Sequence, residues 1–262
     1  MVNRWYHPLV CAFMLLGAVI AQPHAQEVRL VGNKVETLIN DRGQPSRLTD
    51  LIEAALANEN VTLTATTQAW SGSGLRNGRF DGYIDHYSLD NPKLNYVYSK
   101  PFANIALHVA STSADAANMN RLDQLNRKRV GLETRFANTD QVRSERSVNW
   151  ARTQDFFNNV QQLAEQRVNY IVADKIMLDE MNKMLIAVGQ EPLYISSEPL
   201  FSVDISLGMR TAFADAQSVI TKLNEGIERL KTTQQYDEIY LPSVNAKSIL
   251  DETMYEDIVK RW

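Results

Sequence analysis

Short β-branched runs alternate with longer stretches whose apolar residues recur every three or four positions, and the alternation continues from residue 28 almost to the end of the chain. Ser46 to Asn58 carries Leu48, Leu51, Ile52, Ala55 and Leu56, a spacing that puts one stripe of a helix into a core. Val61 to Thr67 then alternates with period two and is β-branched, which predicts a strand. Further strands are expected at Val28–Val31, Phe80–Ile84, Ile105–Ala110, Arg129–Leu132, Tyr170–Ala173, Leu193–Ile195 and Val203–Met209. Helices are expected over Thr153–Gln166, over the Met-rich Asp174–Val188, on the stripe Ala216, Val219, Ile220, Leu223, Ile227 and Leu230, and after Lys247. Strands separated by helices predict an α/β fold with parallel sheets and helices on both faces. Two such blocks predict two lobes. No internal repeat is visible and no Gly/Ser linker occurs, so extended crossover strands are expected to join them.

The front of the chain differs from the rest. Arg4 precedes an apolar stretch from Leu9 to Ala21, with exits after Ala21 or Ala25, so residues 1–25 read as a cleaved secretory signal. The stretch is short for a membrane-spanning helix, which needs roughly 20 apolar residues. The single cysteine, Cys11, lies inside it. The processed chain is then without disulfide, thiolate nucleophile or sulfur-based zinc site, and its localisation is expected to be the periplasm. Losing Arg4 takes the net charge from −4 to −5. An acidic chain argues against a nucleic-acid partner, because no basic excess exists to neutralise phosphates. The basic run from Arg121 to Arg129 reads as a solvated turn before a strand.

Signatures of catalysis are missing. No phosphate-binding loop, H-E-x-x-H, G-x-S-x-G, dinucleotide fingerprint or cysteine pair occurs, and the Gly72-Ser73-Gly74 cluster reads as a tight turn at a helix start. His86 and His108, two scattered histidines, make a weak metal site, and structural roles are favoured for them. The expectation is a binding protein rather than an enzyme, with no cofactor and no metal. Paired carboxylates could still meet in space.

The segment from Trp70 to Phe102 resembles the family 3 extracellular solute-binding proteins, the periplasmic receptors of polar amino-acid ABC importers. Leu75, Gly78, Phe80 and Asp81 match the family's helix end, and Tyr98, Ser99, Pro101 and Phe102 match its aromatic-Ser-x-Pro-aromatic turn. Leu122 to Leu132 is similar to the family's approach to lobe two, Gln166 to Asp174 to its late strand ending in Asp, and Tyr236, Ile239 and Tyr240 to its terminal Tyr-x-x-Ile-Tyr. The resemblance implies a type II periplasmic-binding-protein fold, two α/β lobes joined by two hinge strands. The hinges are expected near Ala103–Leu107 and Ser202–Ser206, with lobe one over 26–104 and 206–262 and lobe two over 105–205. It also implies a small polar, amino-acid-like ligand, a membrane permease as partner, and a monomer. A sensory role on a membrane receptor, or a dehydratase-like enzyme on the same fold, are the alternatives.

The resemblance assigns site residues one by one. Asp174 matches the Asp that takes the ligand amine; it is also well placed to cap the next helix. Trp70 matches the aromatic wall, and His86 and Ser88 fall in the ligand loop. The family's carboxylate-gripping arginine has no counterpart. Counting from Asp81 gives Lys93, a point charge that cannot bind bidentately, and counting back from the Tyr98 turn gives Pro92. The family's Gly-Thr-Thr in lobe two is replaced by Arg135-Phe136-Ala137, where Arg135 is a candidate replacement cation and Phe136 is counted among the ligand-binding residues. Losing both halves of that clamp puts an ordinary α-amino acid in doubt.

Overall fold

The structure, a computed structural model, describes residues 26–86 and 95–262. Three strands open it: β1 (Val28–Asn33), β2 (Val61–Thr66) and β3 (Gly82–Asp85), all parallel in the order β2-β1-β3. Helix α1 (Arg47–Ala55) crosses from β1 to β2 and α2 (Gln68–Arg76) from β2 to β3. A short β4 (Tyr96–Tyr98) leads into the long β5 (Ala103–Ser111). A second parallel set follows: β6 (Arg129–Glu133), the short α3 (Asp140–Ser144), β7 (Asn149–Thr153), α4 (Phe156–Ala164) and β8 (Tyr170–Asp174), in the order β7-β6-β8. Helix α5 (Lys175–Ala187), β9 (Tyr194–Ile195) and the long β10 (Phe201–Arg210) return the chain to the first lobe. Helices α6 (Ala216–Thr232), α7 (Gln235–Tyr240) and α8 (Glu252–Arg261) end it.

The two lobes are joined through β5 and β10. Their antiparallel pairing runs from Phe201 opposite Leu107 to Ile205 opposite Ala103 and overlaps the stretches expected as hinges, Ala103–Leu107 and Ser202–Ser206. Beyond it β10 continues along β3 and β4, while β5 continues along β8 and β9. Each lobe is thus three parallel strands completed by an antiparallel crossover strand. This repeat of topology left no trace visible in the sequence, because a strand order constrains hydrophobic pattern and not residue identity. Two tyrosines of α7 hold the hinge: Tyr236 donates to the Phe102 carbonyl at 2.8 Å and Tyr240 to that of Asn104 at 3.0 Å. Burial pushes the Tyr236 phenol up to about 12 and that of Tyr240 higher still, so both remain donors.

The helix stripes read from the sequence are the packed faces. Leu48, Leu51, Ile52 and Ala55 of α1 are buried against α6. Burying each of the larger side chains contributes about 1.5–3 kcal/mol. The two helices approach closely at Gly226, where any Cβ would meet the Ala55 carbonyl oxygen at 2.2 Å. Some elements depart from expectation. Gly72-Ser73-Gly74 lies within α2 rather than in a turn; a Cβ on Gly74 would meet the Phe80 ring at 2.4 Å, so the glycine there serves packing. The strand expected from Phe80 begins at Gly82, and β7 forms where no strand is expected and takes in Thr153, the first residue of the expected helix. Finally, α8 lies on α4 and α5, with Tyr255, Ile258 and Val259 in one apolar cluster with Phe156, Val160, Met177 and Met181. Residues 1–25 lie outside the described residues, and no described helix is long and apolar enough to cross a membrane.

Candidate functional site

The last residues of five parallel strands, Asn33, Thr66 and Asp85 from lobe one and Glu133 and Thr153 from lobe two, line one cleft of about 1550 Å³. Its back is the hinge, at Ser202, Val203 and Asp204 of β10. Carboxyl ends of parallel strands are where open α/β sheets bind ligands, because loops there can vary without disturbing the sheet. Lobe one adds Lys34, Glu36 and Asp41 from the loop after β1, and lobe two adds Arg135, Asp140, Arg152 and Asp155. Asp251, which caps α8 through the amides of Thr253 and Met254, completes the rim.

The sixth strand end is closed. Asp174, at the end of β8, is buried, and its Oδ2 accepts from Arg47 Nη2 at 2.6 Å while Oδ1 caps α5 at the Ile176 amide, 3.1 Å away. The amine partner implied by the resemblance is thus occupied by the protein's own guanidinium, and Asp174 does not line the cleft. Arg47 begins α1 in lobe one, so this buried pair spans the two lobes. Its guanidinium also lies 5.0 Å from the Tyr240 ring centroid, and its Nε and Nη1 are buried without a hydrogen-bond partner. Sequence reasoning missed Arg47; the signal was a charge at the start of a helix, adjoining the apolar stripe that begins at Leu48. Two further contacts join the lobes beside it. Thr37 Oγ1 donates to Met177 Sδ at 2.9 Å, and Tyr255 donates to Glu36 Oε2 at 2.7 Å. Thr37 holds φ +62, unusual for a β-branched residue and a site of local strain.

Of the other expected residues, His86 and Arg135 line the cleft. His86 Nδ1 lies 2.7 Å from Asp85 Oδ1, and its ring is 5.8 Å from that of Phe136, which is wholly buried beneath it. Arg135 Nε donates to Glu133 Oε2 at 3.0 Å and the guanidinium stacks 4.1 Å over Phe136, so one edge of this cation is committed within its own loop. Trp70 is 62% exposed, 6.0 Å from Arg79, and does not line the cleft. Ser88 and Lys93 lie outside the described residues.

Glu133 was not anticipated, although it stands one residue beyond the expected strand Arg129–Leu132. It is 2% exposed; Oε2 is held by Arg135, and Oε1 has no hydrogen-bond partner. Burial pushes its carboxyl above the ordinary glutamate range, against the pull of Arg135, and the charges of Asp174 and Asp155 push the same way. Burial likewise raises Glu36, against the hydrogen bonds from Tyr255 and the Asp251 amide. The arrangement is a preformed acidic cleft with one buried carboxylate oxygen awaiting a donor.

No family model and no curated protein matches this chain. Solved structures do share its fold. An amino-acid ABC transporter substrate-binding protein, AbpA from Streptococcus pneumoniae, bound to L-arginine, superposes with a TM-score of 0.61 at 12% identity, covering 90% of this chain and 95% of that one. The ligand-binding core of GluR0 in complex with L-glutamate gives 0.64 at 12% identity over 83% and 96%. The VFT2 domain of Bordetella pertussis BvgS gives 0.61 at 12% identity over 82% and 91%. The fold is therefore that of the two-lobed type II periplasmic binding proteins.

Proposed function

We propose that the chain is a periplasmic solute receptor that closes two lobes on a small polar ligand and releases it unchanged to a membrane permease of an ABC importer. The observation that carries this reading is the cleft itself, lined by strand ends of both lobes and backed by a pair of antiparallel hinge strands. A ligand that touches both lobes favours their closed arrangement by its differential affinity and needs no chemistry to do so. The reading takes residues 1–25 as a removed secretory signal. It divides the chain into lobe one, 26–104 and 206 to the end of α7, and lobe two, 105–205 joined by α8.

Sensing is the second reading, favoured by the likeness to the BvgS domain and to a histidine kinase sensor domain that superposes with a TM-score of 0.60. Both readings share the binding step. Native mass spectrometry of protein prepared from a bacterial periplasm tests it: a bound small molecule recovered intact is expected. A ligand present at 100 times its dissociation constant should also stabilise the fold by about 2.7 kcal/mol in thermal unfolding. Conversion of the bound molecule to a product, or no stabilisation by any solute of a broad metabolite set, refutes the receptor.

A further inference from the structure

Negative charge is concentrated in the cleft. Among the described residues eight carboxylates line it against three cationic side chains, Lys34, Arg135 and Arg152. This excess of five is larger than the net charge of −4 carried by the whole chain, so the rest of the molecule is nearly balanced. Low-dielectric walls lined by one sign of charge focus the field into the space between them. Two of the three cations are already paired, Lys34 with Asp41 and Arg135 with Glu133. Arg152, exposed at the rim, is the lining cation with no ion pair among the described residues.

Glu133 gives this field an anchor. Glu133 lines the same cleft, and its Oε1 is buried and accepts no hydrogen bond. Leaving a buried acceptor unsatisfied costs about 1–3 kcal/mol, and more when it is charged. The nearby Asp155 and Asp174 repel it, and Arg47, the buried cation closest to Asp174, is spent on that residue. A positively charged N–H donor from outside would meet both needs, in a charge-assisted hydrogen bond. Metal ions suit the site less well. No three His, Cys, Asp or Glu side chains among the described residues converge closely enough to hold one, and hard cations need about six oxygens. A ligand carboxylate, in turn, would enter against the prevailing field.

Given the receptor reading above, we infer that the ligand is a small organic cation, an amine or guanidinium without a balancing carboxylate, and that Glu133 is its anchor. Calorimetric titration of the full processed chain with 1,4-diaminobutane and agmatine, against L-glutamate, succinate and calcium, tests this. Binding of a cationic probe at least tenfold tighter than either anion is expected, weakening about thirtyfold or more in Glu133→Gln. Asp155→Asn, which keeps the cap that Asp155 Oδ1 gives α4 at the Asn158 amide, 2.8 Å away, should weaken the same probe by a smaller factor. Unfolding curves of both variants confirm that they are folded. Binding of L-glutamate or succinate in preference to the diamines overturns the cation while sparing the receptor, as does binding of calcium alone. Unchanged diamine affinity in folded Glu133→Gln overturns the anchor. No binding of any probe, together with no small molecule accompanying the protein from the periplasm, overturns both readings.

Discussion

Asp81 in lobe one and Glu133 in lobe two are both almost completely buried, at 4% and 2% exposure, and they are partnered in opposite ways. Asp81 sits just before β3, at the amino ends of its parallel strands. It accepts from Arg29 Nε at 3.0 Å, from Arg29 Nη2 at 2.8 Å and from the Arg29 amide at 3.0 Å. Glu133 ends β6, at the carboxyl edge, with one oxygen bonded and one open. Two lobes of the same strand order thus use buried charge for different ends. Where strands begin, the carboxylate is saturated and ties one strand to the next. Where strands finish, it is left short of a donor, and it faces the cleft. Incomplete satisfaction is costly, and its placement in the cleft supports the anchoring role proposed for it.

The contrast can be tested first where the lobes meet. Asp174→Ala should leave Arg47 charged, buried and alone, costing about 3–5 kcal/mol in denaturant unfolding. The pair Arg47→Met with Asp174→Asn, which keeps the α5 cap, should recover much of that loss. If Asp174→Ala is instead neutral, the two lobes do not meet through this pair in solution. Next in size, Asp81→Ala strips three donors of their acceptor and should cost about 1–3 kcal/mol, moderated because the Arg29 side chain is half exposed. Solute binding should be unaffected, since Asp81 is remote from the cleft lining; a matching loss of affinity would erase the distinction between the two strand ends.

A smaller effect should appear in the pH dependence. The folded Glu133 carboxyl lies above its ordinary 4.5, so the native state binds the proton more tightly than the unfolded chain. Its contribution is complete below 4.5 and is lost as pH rises through the higher folded value. The stability of the unliganded wild type relative to Glu133→Gln should therefore fall from pH 4.5 towards neutrality, read from paired unfolding curves. A rising difference means that Arg135 outweighs burial. The least change is expected from Trp70→Ala: within about 0.5 kcal/mol in stability and none in solute affinity, because the ring is exposed and outside the cleft.

The local elements were legible because they depend on short-range pattern. The stripes of α1, α4, α5 and α6 and the β-branched run of β2 could be read directly. Elements without such a pattern were not. The three residues of β4 and the polar Asn149–Thr153 of β7 are strands because neighbouring strands complete their hydrogen bonds. Helix α8 carries an ordinary apolar stripe, and nothing in that stripe says which lobe it covers. Site residues divided along the same line. His86 and Arg135 reach the cleft because they follow strand ends, a position that local pattern supplies. Asp174 follows one too, yet a guanidinium 127 residues earlier in the chain has taken its charge.

What the residues determined by themselves was periodicity: which stretches would be strand or helix, which faces would leave water, and that parallel strands with crossovers must follow. Tertiary structure alone decided which charges meet. The Arg47–Asp174 pair, the open oxygen of Glu133 and the acidity of the cleft all arise between residues distant in the chain. Coulomb and hydrogen-bond energies depend on separation and burial in space, and neither is written into sequence spacing.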